Sequence, residues 1–191
     1  MRKFITLVLL FNTIESFSQE DLPFYEITNY PESYSSGNVV SRMIDGLGFR
    51  FYWASEGLRE KDLKYRISPD SRSAQEIIEH IHVLSQIILN SLQNKPTLSG
   101  NEQKFNFVEL RKKILKNLET SSNILKTSKD LSKFKIVFQR DGSTSEFPFW
   151  NQINGPIEDA VWHSGQIVML RRASGNPFNS KASVFTGKVN D

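Results

Sequence analysis

The chain contains no cysteine. No disulfide can brace it and no thiolate can join a metal site, so its stability must come from packing and any ligands from histidines and carboxylates. Histidine is scarce as well: His80, His82 and His163 are the full set. Neither sign of charge prevails. The 24 basic and 21 acidic residues leave a net charge of +3, and they are interspersed, without the arginine-rich tract or aromatic-basic platform of a nucleic-acid interface. No apolar run approaches the ~20 residues that a membrane-spanning helix needs, and no internal repeat or low-complexity segment is present. What remains is 191 residues with 38% hydrophobic and 12% aromatic content, enough for one globular domain with a sizeable core.

Residues 1–18 have the pattern of a secretory signal peptide. Arg2 and Lys3 precede the short apolar stretch Phe4 to Phe11, and Ser16-Phe17-Ser18 sets small residues at the positions a signal peptidase reads. This pattern predicts export, periplasmic or extracellular, with a mature start near Gln19. Residues 19–38, rich in Pro, Tyr, Ser and Gly, read as an extended arm ending in a helix cap.

Residues 39–191 then read as a helical domain. A first helix is expected from about Val39 to Leu58, with Val40, Met43, Ile44, Leu47, Phe51, Ala54 and Leu58 as its core stripe and Arg42 and Asp45 on a solvated or interfacial side. Gly46 and Gly48 lower its propensity, most simply in exchange for a close helix–helix approach. A charged connector with Ser68-Pro69-Asp70 as its turn leads to a second helix, Ala74 to Leu92, capped by Ser71 or Ser73. Its apolar stripe is Ile77, Ile81, Leu84 and Ile88. His80 falls among these positions, and His82 falls nearer the edge as a partly exposed residue. A third helix, about Glu102 to Ser128, sets Phe107, Leu110, Ile114, Leu118 and Leu125 opposite a solvated basic face. Phe134 to Gln139 and Glu146 to Phe149 flank Asp141-Gly142 and predict a hairpin. One short strand is expected at Val184-Phe185.

The fourth helix carries the chemistry. Pro156 suits its first turn, with Asn154 or Gly155 as cap, and Gly175 with Pro177 ends it. Asp159 and His163 stand four apart and Gln166 follows three later, so the three share one helix face. An i,i+4 Asp–His pair is usually a weak ion pair or a satisfied hydrogen bond; two ligands make no site without a third. The expected architecture is all-α, an antiparallel four-helix bundle with a small hairpin inserted before the last helix. There a histidine on helix two can face the pair on helix four, and a third ligand would come from it.

In its organisation and local motifs the chain resembles the DinB-like, or YfiT-like, metal-dependent bundles. The resemblance rests on the connector Leu63 to Ser73 before Ile78-Glu79-His80-Ile81, and on His163-Ser164-Gly165-Gln166-Ile167 in the last helix, and it covers about Val39 to Gly175. It is closer to an exported branch with Asn154-Gly155-Pro156-Ile157, Asp159-Ala160, Trp162-His163, Arg171-Arg172 and Gly175-Asn176-Pro177. The resemblance implies one divalent ion, held in the family by one histidine on helix two and two spaced i,i+4 on helix four. Here His80 and His163 match, and Asp159 stands where the family has histidine. The implied set is two histidines and a carboxylate, suited to zinc, nickel, iron or manganese. Gln166 or Asn154 would orient a ligand.

Two functions follow from this reading. One is a metal-dependent hydrolase or thiol transferase acting on a small molecule; the other is an exported binding or structural bundle without the family chemistry. A homodimer through the first and fourth helices is also expected. Ile157, Ala160, Val161, Ser164 and Val168 form a stripe nearly opposite the site, and one core cannot cover both faces; the competing cover is the N-terminal arm.

Overall fold

The computed structural model describes residues 21–27, 30–98 and 103–191. The signal-peptide segment, residues 1–18, lies outside the described residues. The fold is mostly helical: α1 Ser36–Ser55, α2 Glu60–Leu63, α3 Ala74–Leu92, α4 Phe107–Lys126, α5 Trp150–Gln152 and α6 Glu158–Ala173, with a π turn, Ile153–Ile157, joining the last two. No described helix is long and apolar enough to cross a membrane.

The helix starts follow from their caps. Ser35 accepts from the Asn38 amide at the start of α1. Ser73–Glu76 and Asn106–Glu109 form reciprocal capping boxes at α3 and α4. The Asn106 cap sets the start of α4 at Phe107, later than apolar periodicity alone suggests. The α1 and α3 helices each pack against both α4 and α6, closing over Ile44, Leu47, Phe51, Ile78, Ile81, Ile88, Ile114, Leu115 and Ile167, all fully buried. At the entry to α1 the helices nearly touch: a Cβ on Gly37 would lie 2.3 Å from the Leu125 carbonyl oxygen.

The strands are accessory. In the sheet, β2 Ile136–Arg140 pairs antiparallel with β3 Ser143–Phe147, Ile136 opposite Phe147, through a turn at Asp141 and Gly142 with positive φ at both. The short β1, Thr97–Leu98, adds in parallel beside β2. In the tail, β4 Ala182–Ser183 pairs with β5 Lys188–Val189. Val184 and Phe185, expected as strand, sit in the turn between them, and Phe185 is exposed.

Other expectations are decided by long-range packing. Of the two settings expected for Asp45 the interfacial one holds: it is buried against α4, accepting from Ser122 Oγ and pairing with Lys126. Gly48 gives room to the arm, not to another helix, since a Cβ there would fall 2.5 Å from the Phe24 ring. On the basic face of α4, Arg111 turns inward onto Ser55 Oγ, Glu56 and the Tyr52 ring. Arg171, at the end of α6, is buried and donates to the carbonyls of Trp53 and Ala54, which the last turn of α1 leaves unpaired.

The faces that pointed to a dimer are covered within one chain. Val161 and Val168 pack against the core. On α1, Tyr25 and Ile27 of the arm join Phe49, Tyr52, Trp53 and Ala182 in a second cluster. The Trp53 indole donates to the Tyr25 carbonyl, and the Ile27 amide donates to the Gly187 carbonyl.

Candidate metal centre

His80 is placed by α3 and the Asp159–His163 pair by α6, and the two helices pack directly. Between α5 and α6 the chain is kinked. Pro156 has no amide hydrogen, and its ring would strike the Gln152 carbonyl of a regular helix. The backbone leaves helical geometry at Gly155, φ −94°, ψ −110°, and α6 runs on from the far side of that kink. On the near side the chain is anchored by buried Gln152, whose amide donates to the Ile88 carbonyl.

The result is a three-residue cluster. His80 Nε2 lies 3.2 Å from Asp159 Oδ2, and His163 Nε2 lies 3.3 Å from Asp159 Oδ1. One ligand atom from each of the three residues lies within 4.8 Å of the others. The imidazoles meet edge to face, with centroids 4.7 Å apart. His163 is largely enclosed at 11% exposure, while His80 and Asp159 are near 32% and 33%. The cluster is therefore backed by protein on one side and open on the other.

Gln166 orients His163. Its Oε1 can only accept, so His163 Nδ1 donates to it at 2.8 Å, and in the neutral imidazole that bond leaves the Nε2 lone pair toward Asp159 Oδ1. Two acceptors 3.3 Å apart repel unless a cation or a proton lies between them. For ligands about 2.0–2.1 Å from a tetrahedral ion, neighbouring ligand atoms are roughly 3.3 Å apart. The group could therefore hold one metal ion, although its identity is not written in the geometry.

Asn154 is not part of this arrangement. It lies exposed just before the kink at Gly155, and its side chain caps neither helix. Glu79 points outward and bonds Gln75. The expected exposure of His82 is also corrected. It is 8% exposed, lies against the Phe105 ring, and is pushed below the ordinary histidine pKa by burial and then by Lys113.

A cleft of about 790 Å³ opens beside His163 and Gln166, walled by Ile67, Trp162, Met169 and Leu170. Sequence reasoning missed this wall. Trp162 and Met169 stand seven apart on one face of α6 with Gly165 and Gln166 between them, a spacing legible in the sequence, whereas Ile67 lies in the connector and no pattern links it to that face. The chain matches no family model, no curated protein and no solved structure.

Proposed function

We propose that the chain is a DinB-like four-helix bundle in which His80, Asp159 and His163 hold one divalent transition ion, zinc, nickel, iron or manganese, for hydrolysis or thiol transfer on a small molecule. The observation that carries this reading is the convergence of two imidazoles and one carboxylate, with one ligand atom from each within 4.8 Å of the others. The pairwise packing of the four long helices supports the bundle. Bound there, such an ion supplies Lewis acidity and makes a nucleophile of water or a thiol near neutral pH. Asp159 offsets part of the ion's charge, Gln166 accepts from His163 Nδ1, and the part-exposed His80 and Asp159 leave room for further ligands on the open side. Of the three ligands His163 lines the cleft, and no carboxylate does, so proton transfer would rest on the ion and its ligands.

Elemental analysis of the purified chain tests the reading. About one equivalent of a transition metal is expected, His80→Ala and His163→Ala each abolish it, and Gln166→Leu weakens affinity roughly 10- to 100-fold. Full occupancy in a folded His80→Ala/His163→Ala double variant would overturn it. We also propose that the chain is exported after cleavage near Gln19. Sequencing the N-terminus of the protein from its native host checks this, and an intact Met1 on cytoplasmic material would contradict it.

A further inference from the structure

The cleft beside the metal cluster has an uneven chemistry. Its walls are apolar, from Ile67, Trp162, Met169 and Leu170, and the formal charge along its lining is a single arginine, Arg72. Arg72 is exposed and engages no described residue by hydrogen bond, ion pair or ring contact. Its neighbours differ in this respect: Arg66 is held by Glu76 and the Ser71 carbonyl, and Arg59 by Asp62. An arginine without a carboxylate, at the edge of an apolar cleft that contains none, is a cation with its fork free for a planar anion. Gln166 adds to it. With Oε1 committed to His163, its amide N–H groups are left to donate, and it too lines the cleft.

We propose that the cleft binds a small amphipathic carboxylic acid, its carboxylate on Arg72 and its apolar body against Trp162, Met169 and Ile67. The inference rests on the metal-centre reading for the chemistry done on this ligand, but not for its binding. An apolar body removed from water by these walls supplies affinity, and the guanidinium supplies selection for the charged head.

The probes are 4-phenylbutyrate and its neutral isostere 4-phenylbutanamide, titrated calorimetrically into metal-free and zinc-loaded protein. Metal-free wild type should bind the acid roughly tenfold more tightly than the amide. Arg72→Gln should bring the two probes level, Trp162→Ala should weaken both alike, and added salt should narrow the preference for the acid. Equal binding of acid and amide to metal-free wild type, an acid preference that survives Arg72→Gln, or no binding of either probe up to about 10 mM would overturn the inference. If the protein takes up none of zinc, nickel, iron and manganese but the metal-free arm behaves as stated, the metal reading fails and this one stands; a preference for the acid only in the zinc-loaded arm would assign the carboxylate to the ion and overturn Arg72's part.

Discussion

His82 and His80 lie two residues apart on α3 and have opposite environments. His80 meets Asp159 at the open edge of the metal cluster, whereas His82 is enclosed under Phe105 with the Lys113 ammonium nearby. Burial, with Lys113 adding to it, keeps His82 neutral in the folded chain below the pH at which the unfolded chain takes up a proton. The unfolded state then binds more protons, so stability rises with pH in this window. His82 costs nothing above about 6.5, and stability falls as the pH drops from there toward the depressed folded value. Urea midpoints measured between neutral and mildly acid pH should fall more for wild type than for His82→Leu. Parallel curves would show that the imidazole is protonated as readily folded as unfolded.

At the scale of elements, the four-residue α2 is too short to stand alone and is held by its ends. Asp62, fully buried, accepts from the Arg59 guanidinium and amide, from Ser174 Oγ and from Asn176 Nδ2, joining the connector to the end of α6. The Arg59 hydrogen bond comes first among the causes that hold its carboxyl far below the usual range, against the opposing effect of burial. A depressed carboxyl contributes stability that is present above the unfolded value near 4 and lost as the pH falls further. Asp62→Ala should destabilise the fold by about 3 kcal/mol, because it strands several buried or half-buried donors. Thermal or urea unfolding measures it, and a change under about 0.5 kcal/mol would mean that water replaces the carboxylate without penalty. Ile67 and Arg72, which line the cleft, follow α2 in the same connector.

For the whole molecule, the arm and the tail pack on α1, one of the two helices through which a second copy would dock. Phe24 fills the space over Gly48, and Ile27 packs on Gly187, where a Cβ would lie 2.6 Å from the isoleucine side chain. Light scattering at micromolar concentration is accordingly expected to return the mass of one chain. A dimer mass that Val161→Glu reduces to that of a monomer would restore the two-fold interface through α1 and α6.

The amino-acid order by itself determined the elements with strong local signals: α3 from its Ser73 cap and apolar stripe, the hairpin from Asp141-Gly142, and the shared face of Asp159, His163 and Gln166 from their spacing. Each depends on neighbours within a few residues, and periodicity carries that information. Only the tertiary structure decided that His80, 79 residues before Asp159, meets its carboxylate. It alone showed that Asp45, His82 and Arg171 are buried and that Arg72, Ile67 and Trp162 face one cleft. The physical reason is that burial and contact between distant segments follow from which helix faces close on one another. Ahead of α6 the chain kinks at Gly155 beside Pro156, a break that a pattern of constant pitch does not show.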